Sequence, residues 1–571
     1  MKNLELAKIF YEIADILEMQ GVQWKPRAYR KAAQMIENLP VDIKEVYEGS
    51  GIKGLEEMPG VGRAISSKIE EFIKTGKVKE HEELVKSVPK GVEEMMNIPG
   101  MGPKKAWRLY QELGITSLKK LENYAKKRKI SKLSGFGPTS EKDILKGLEL
   151  VKKGQERILL GQALPIANNI SHKLSKLNYV KGVSIAGSLR RKKETIGDID
   201  ILAVSNKPTK VMDYFTKMNN VKHIVAKGNT KSSVVLEEGV NCDLRVLNEN
   251  QYGAALLYFT GSKYHNIAMR NIAIRKGMKL SEYGLFKGNK VVASKTEQEI
   301  YRKLGLNYIE PEMREDRGEM ELSKNGNLPN LIPYGSLKGD LQMHTEWSDG
   351  ENTTEEMIQA AIKMGYSYIA ITDHSKSQVI ANGLDVKRLE KQVEEIRKLN
   401  KKYPKIEVFA GSEVEIKSDG RLDYSNSVLK KLDFVVAAVH SGFKSDKDKM
   451  TKRVLKALDN KHVHMLAHPT GRLINKRDPF EIDIEKILQK AKENNVIMEI
   501  NSSPRRLDLN SENIRKAIEI GTTLAINTDA HRAENLKFVD FGIAQARRGW
   551  AESKNIINTK PLSKLKKFMD K

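Results

Sequence analysis

The sequence predicts a multidomain protein of mixed class, with helical modules first, an α+β segment next and an α/β barrel last. Three observations carry that reading. A Gly-x-Gly turn recurs three times between helical segments in residues 1–150. Strand-like runs bearing paired aspartates punctuate residues 151–315. Beyond residue 339, His, Asp and Glu close successive strand-like runs about 30 residues apart, the length of a βα unit.

At about 150 residues per domain, 571 residues make roughly four domains. Hydrophobic residues are 39% and charged residues 30%, a balance that excludes wholesale disorder. No apolar run approaches the roughly 20 residues of a membrane span, so no membrane partner is expected. The opening segment, MKNLELAKIFYEIADIL, alternates acids with apolar residues and has no small-residue cleavage site, unlike a signal peptide. One cysteine, Cys242, excludes a disulfide framework and a cysteine-rich zinc module. The expected setting is cytoplasmic and nucleoid-associated. Lys and Arg number 99 against 74 Asp and Glu, and the net charge of +25 points to a polyanion, nucleic acid first. A lysine-rich proteome is the plainer alternative.

The helical modules come first. Met58-Pro59-Gly60-Val61-Gly62, Ile98-Pro99-Gly100-Met101-Gly102 and Leu133-Ser134-Gly135-Phe136-Gly137 each sit between two helical segments. Glycines two apart permit a tight hairpin and expose backbone N–H groups beside the second helix's N-terminus, where a phosphate can bind. Lys104, Lys105 and Arg108 follow the second turn. One copy would be an ordinary connection; three in a basic chain predict helix-hairpin-helix contacts to the DNA backbone, which carry no base information.

In the middle segment, Ile185-Ala186-Gly187-Ser188-Leu189-Arg190-Arg191 ends a strand in a Gly-Ser turn followed by arginines. Next comes Gly197-Asp198-Ile199-Asp200-Ile201-Leu202. Residues two apart on a strand share a face, so Asp198 and Asp200 make a paired carboxylate site, and Asp243 in Cys242-Asp243-Leu244-Arg245-Val246 offers a third. Hard oxygen ligands favour Mg²⁺ or Mn²⁺, and two such ions suit phosphoryl transfer. The bland reading is a pair of edge-strand aspartates facing water.

With these residues stand Tyr258-Phe259-Thr260-Gly261-Ser262-Lys263, Asn266, Arg270, Glu282-Tyr283-Gly284 and the run Tyr308 to Glu315. Together they resemble the family X (DNA polymerase beta-like) DNA polymerases over residues 1–315. The resemblance implies a nucleotidyltransferase palm in which Asp198, Asp200 and Asp243 hold two Mg²⁺ or Mn²⁺ ions, with Asp243 assisting deprotonation of the primer 3′-hydroxyl. Gly187, Ser188, Arg190 and Arg191 would bind the deoxynucleoside triphosphate. Tyr258, Phe259 and Gly261 would line the sugar pocket, Asn266 would reach the base's minor-groove edge, and Arg270 would report on the templating pair. Tyr258-Phe259 alone would read as core packing. The stretch Trp24 to Arg30 resembles the family's 5′-phosphate pocket, with Lys25 and Tyr29 as DNA contacts, and Lys68 falls where its lyases place a Schiff-base lysine. An attacking amine must be unprotonated. Ala64 departs from the polymerase beta pattern, which has a second phosphate-binding lysine there.

In the last segment, His344/Asp349, Asp373-His374, Glu413, His440, His468, Glu499/Asn501 and Asp529/His531 mostly follow strand-like runs such as Tyr368 to Thr372 and Phe434 to Val439. Strand carboxyl ends converge on one face of a parallel barrel, where active sites form. A His/Asp/Glu cluster there suits Zn²⁺, Mn²⁺ or Fe. The runs Met343-His344-Thr345, Thr372-Asp373-His374-Ser375, Val439-His440-Ser441, Ala467-His468-Pro469-Thr470-Gly471-Arg472 and Asp529-Ala530-His531 resemble the polymerase and histidinol phosphatase (PHP) domain, which is fused to prokaryotic family X polymerases. That implies a distorted (βα)7-like barrel, metal ligands His344, Asp349, His374, Glu413, His440, His468, Asp529 and His531, and a 3′→5′ exonuclease or 3′-end-processing activity. One departure stands out. The family's first motif is His-x-His, whereas this chain reads Gln342-Met343-His344, and an amide oxygen is a weaker ligand for a zinc-like ion than imidazole.

The expected organisation is therefore a lyase-like helical domain at 1–80, a fingers-type helical domain at 81–150, a palm at 151–251, a thumb at 252–316, a linker at 317–338 and the PHP domain at 339–571. The expected function is template-directed filling of short gaps in DNA repair, by a monomer acting on gapped or primer-template DNA, with 5′-deoxyribose phosphate lyase activity resting on Lys68. The alternatives are a PHP phosphoesterase targeted to DNA and a non-catalytic DNA-binding scaffold; three intact palm aspartates argue against both.

Overall fold

A computed structural model describes residues 2–37, 42–58, 60–96, 98, 101–137, 140–145, 147–148 and 157–570. Gly100 and the division expected between residues 150 and 151 lie outside the described residues. The chain separates into two compact units, one of residues 1–157, 171–187 and 197–308, the other of 158–170, 188–196 and 309–571.

The first unit begins with helices Lys2–Met19, Lys25–Glu37, Ile43–Glu56 and Arg63–Thr75, closed over Leu6, Phe10, Ile36, Leu55, Ile69 and Phe72. Ile16 and Met19 of the first helix join a second helical core with Val92, Leu109, Leu121 and Phe136. All three Gly-x-Gly turns share one construction. The residue between the glycines is buried (Val61, Met101, Phe136), and its N–H donates to the carbonyl three residues back (Met58, Ile98, Leu133). The apolar residue anchors the turn while Gly62, Gly102 and Gly137 remain exposed beside the following backbone. Gly62 and Gly102 occupy the N-cap positions of Arg63–Thr75 and Pro103–Leu113 without a side-chain cap, so the N–H groups those first turns do carry (Pro103 has none) can meet a phosphate.

The remainder of this unit is a five-stranded sheet and a thumb. Strands run in the order Gly182–Ile185, Asp198–Val204, Asn241–Leu247, Lys231–Leu236, Val221–Lys227. Only the pairing of Asp198–Val204 with Asn241–Leu247 is parallel, and it sets Asp200 beside Asp243. The thumb adds helices Tyr252–Thr260 and Lys263–Arg275 and an antiparallel meander, Lys279–Ser281, Gly284–Lys287 and Lys290–Ala293.

The second unit is the α/β barrel the sequence predicts. Gly339–Met343, Tyr368–Ile371, Glu407–Glu415, Phe434–Ala438, Met465–Leu466, Ile497–Asn501 and Leu524–Asn527 pair in sequence order, all parallel. The two ends approach closure where Asn527 Oδ1 accepts Leu341 N–H at 3.0 Å and Met343 bridges Ala530. Tyr368–Ile371 and Phe434–Ala438 read as continuous apolar runs because both faces are covered. Leu341, Tyr368, Phe409, Phe434 and Met465 fill one side; Ile369, Ile371, Val408, Val435 and Leu466 pack on the other. Connecting helices start at clear caps: a capping box at Thr353/Glu356, then Asp385, Asp446, Asp483 and Asn510. Residues 317–338, read as a linker, hold a helix, Glu319–Asn325, and bury Ile332 and Leu337 in the barrel core. Apolar residues spaced singly leave no periodicity to read, yet each fills a site.

Candidate active site

In the palm, Asp198 is exposed and Asp200 and Asp243 are half-buried, on adjacent parallel strands. Lys231 Nζ lies 3.3 Å from Asp243 Oδ2. The Gly187 turn is tied to this site sterically. Its φ is +60°, and a Cβ there would stand 2.0 Å from Asp200 Oδ2, so only glycine lets the turn approach the carboxylate. Ser188, the next residue, has a buried Oγ with no hydrogen-bond partner, a donor of the kind a phosphate oxygen takes. Arg191 donates from Nε to Glu315 at 3.1 Å.

The thumb gathers Tyr258, Asn266 and Arg270 around one small pocket with Ala254, Leu257, Leu280 and Ser281. Asn266 Nδ2 donates to the Tyr258 carbonyl at 2.6 Å, and Phe259 stacks under the Arg245 guanidinium, 4.3 Å from its ring centre. Arg270 Nε is buried without a partner. Gly261 is buried and carries φ +66°. Toward the amino terminus, Lys68 Nζ stands 3.5 Å from Glu80 and 3.8 Å from Glu71, and Tyr29 donates to Glu80 at 2.8 Å. Lys25 and Lys104 are exposed.

The barrel's strand ends bring together the candidate metal ligands the sequence singled out there, His468 through its contact with Glu413. Among the described residues, three His/Asp/Glu groups have ligand atoms within 4.8 Å of one another: His344, Asp349, His374 and His531; His374, Glu413 and His440; His344, Glu413 and Asp529. The palm aspartates form no such group, so the tighter cluster is the barrel's. Glu413 is its hub. It is 1% exposed, with His468 Nε2 at 2.9 Å, His440 Nε2 at 3.3 Å, and His344 and His374 at 3.4 Å. Phe409, four residues earlier on the same strand, faces the barrel interior, which places Glu413 on that face.

Burial alone would raise the Glu413 pKa. The surrounding His374, His440 and His344 outweigh it and hold the carboxyl well below the usual range. Burial likewise pushes His440 down, but Glu413 and Glu415 pull it up to about 9. His374, where burial prevails, falls to about 3.

These residues fit a bound cation. His344 Nδ1 and Nε2, His374 Nδ1, His468 Nδ1 and Glu413 Oε2 are buried yet have no hydrogen-bond partner, an arrangement costing about 1–3 kcal/mol per group unless something else satisfies them. Gln342, in the strand that ends just before His344, also has both amide atoms buried and unpartnered. Its oxygen could serve as a ligand.

Two residues named with the candidate ligands have other work. Asp373 accepts from Thr345 N–H at 2.8 Å, Thr345 Oγ1 at 2.7 Å, Ser348 Oγ at 2.5 Å and Gln392, fixing the loop after His344. Glu499 accepts from His468 N–H at 2.7 Å and Asn527 Nδ2 at 3.1 Å. A residue that sequence reasoning missed is Glu415, which accepts from His440 N–H at 3.0 Å and lies 2.9 Å from His440 Nδ1 and 3.1 Å from Arg453. It orients the ring as outer carboxylates orient metal-binding histidines. Its place two residues past Glu413 on a strand was the available signal.

Comparison with known proteins bears on both regions. The DNA polymerase beta thumb family matches residues 255–315, a helix-hairpin-helix domain 1–78, a SAM-like helix-hairpin-helix tandem 92–149, and the PHP domain 340–503. The chain is 39% identical over 574 residues to the DNA polymerase/3'-5' exonuclease PolX of Bacillus subtilis, spanning 100% of this chain and 99% of that one. It is 27% identical over 345 residues to DNA polymerase lambda of Rattus norvegicus, 55% of this chain and 56% of the relative. A probable phosphatase of a Thermoanaerobacter species matches over 228 residues at 28%, 38% of this chain and 88% of its own length.

Proposed function

Because the chain belongs to the family X DNA polymerases that carry a PHP domain, we propose that it fills short gaps in DNA from its palm and trims 3′ ends from its barrel. It is a DNA-directed DNA polymerase with a 3′→5′ exonuclease, as full-length similarity to PolX supports. The observation that carries the polymerase half is the parallel register setting Asp200 beside Asp243, one turn from Gly187 and Ser188.

In the palm, Asp198, Asp200 and Asp243 would hold Mg²⁺ or Mn²⁺, ions that supply charge neutralisation for the triphosphate and acidify the primer hydroxyl. Ser188 and Arg191 bind triphosphate oxygens, and Asp243 draws the hydroxyl proton. The Tyr258–Asn266–Arg270 pocket receives the sugar and the minor-groove edge of the new pair. In the barrel, His344, Asp349, His374, Glu413, His440, His468, Asp529 and His531 would hold Zn²⁺, Mn²⁺ or Fe, which supplies Lewis acidity at a phosphodiester. Glu415 keeps His440 in register. The helix-hairpin-helix turns grip DNA backbone without sequence preference, so binding weakens steeply with salt. Lys68 supports a 5′-deoxyribose phosphate lyase reading, in which the Glu71 and Glu80 ion pairs must open before the amine can attack. We place this monomer in the cytoplasm with the nucleoid.

The test uses a 5′-labelled primer across a short gap with a downstream 5′-phosphate, in Mn²⁺, with and without nucleotides. Asp200→Ala should cut extension about a thousandfold or more and leave shortening intact; His468→Ala should do the reverse. Loss of both activities in His468→Ala, with neither lost in Asp200→Ala, overturns the assignment.

A further inference from the structure

Residues 188–196 leave the palm at Gly187 and return at Gly197, yet they pack with the barrel in the second compact unit. This short loop carries Arg190, Arg191, Lys192 and Lys193 in a row, four like charges that repel one another. Its conformation is fixed from the barrel side. Glu194 accepts both Nη groups of Arg472, at 3.0 and 2.7 Å, in the fork geometry that suits a carboxylate. Gln545 Nε2 adds a third donor at 2.6 Å. Arg548 Nη1 donates to the Arg191 carbonyl at 2.8 Å and to Glu315 at 3.2 Å, and Glu315 in turn accepts from Arg191 Nε. Lys193 Nζ is 3.7 Å from the same carboxylate. The Arg191 and Glu315 side chains are 12% exposed and that of Arg548 only 5%. Thr195 and Ile196 pair with Leu159 and Ile158 as a two-stranded ribbon.

We propose that Arg472, Gln545 and Arg548 of the PHP domain are positioning residues for nucleotide addition, latching the loop that presents Ser188 and Arg191 to the incoming triphosphate. The inference rests on the reading that those two residues bind the triphosphate. A loop held only by packing would need no bidentate ion pair and no arginine aimed at a backbone carbonyl. Each latch contact fixes a direction, and direction is what a phosphate-binding arginine requires. Arg472 also donates to the Leu507 carbonyl and stands four residues after His468, so the latch is anchored in the turn that follows a candidate metal ligand. The polymerase thus depends on the PHP domain's frame and not on its hydrolysis.

The experiment uses the full chain with Glu194→Ala, Glu194→Gln and, for reference, Arg191→Ala. Glu194→Ala should raise the KM for nucleotide about tenfold, since ångström-scale misplacement of a binding group costs up to about a hundredfold, while kcat changes less and 3′ shortening not at all. Glu194→Gln, which retains an oxygen for Arg472, should recover most of that loss. Trypsin should nick the Arg190–Lys193 run faster in Glu194→Ala. A KM unchanged in Glu194→Ala but raised in Arg191→Ala overturns the latch. Unchanged KM in both variants overturns the triphosphate reading instead. Parallel loss of both activities with a lowered Tm, unrelieved by glutamine, marks the contact as structural only and also overturns the latch.

Discussion

Asp198 is exposed and Asp200 and Asp243 are half-buried on neighbouring strands of the palm sheet, with Lys231 beside Asp243. Glu413 instead sits 1% exposed among four histidines at the strand ends of a barrel. Both clusters gather side chains of kinds that can hold cations, but they divide the work of assembly differently. The barrel cluster is held from outside by Glu415, Asp373 and Glu499, each satisfied by several donors, so its shape belongs to the protein. The palm aspartates rely on strand register and on how closely the Gly187 turn approaches. A buried, braced site should tolerate a change beside it and respond to a change of ligand. An open site set by one close approach should do the opposite.

The sharpest way to break that comparison is at Gly187. Alanine there must hold φ +60°, at a cost of roughly 1–2 kcal/mol, and must push Asp200 Oδ2 away from a Cβ 2.0 Å distant. Extension should fall about a hundredfold through displacement of Asp200, while 3′ shortening changes little and Tm drops by only about the few degrees that this strain accounts for. Equal loss of both activities would mean that the turn serves folding and not the palm site.

In the barrel the corresponding change is Gln342→His, which replaces an unpartnered amide with imidazole in a cluster already rich in it. Metal retained after desalting, counted by elemental analysis, should rise toward one further ion per chain, with affinity about tenfold or more higher. Unaltered stoichiometry would show that position 342 lies outside the ligand set. Extension should be untouched.

Much of this was legible in the sequence, and unevenly. The three Gly-x-Gly turns, the Asp-x-Asp strand and the recurrence of ligands at strand ends are local patterns, and each marked an element that the structure contains. The barrel was readable because its ligands repeat at the period of the fold. What stayed hidden depends on distant partners. Nothing near Glu194 announces Arg472 or Gln545, which lie 278 and 351 residues away. For that reason residues 188–196 read as palm and pack with the barrel. Ile332 and Leu337 looked like linker for the same reason, since single apolar residues carry no period. Glu415 was one strand repeat from Glu413 and could have been found by alternation alone.

The smallest effect concerns stability and asks whether the barrel unit's braced character extends beyond its ligand cluster. Glu312 is 6% exposed and accepts from Arg547 Nε at 2.8 Å, with Tyr334 donating at 3.1 Å. Burial raises its pKa, but Arg547 outweighs burial and leaves the carboxyl below its ordinary value. A carboxyl whose pKa is lower folded than unfolded stabilises the protein above the unfolded value of about 4.5, and that contribution is lost as pH falls through the lower, folded value. Glu312→Gln removes this charge at every pH. The variant should therefore melt below the parent at neutral pH, by an amount corresponding to about 1–2 kcal/mol, and the gap should close as the pH drops below about 4. Melting curves of both proteins across that range test it. A gap that stays constant with pH would assign the loss to packing and hydrogen bonding, and the barrel's outer ion pairs would then resemble the exposed, salt-screened pairs of the helical modules, such as Lys74–Glu70 and Lys77–Glu82.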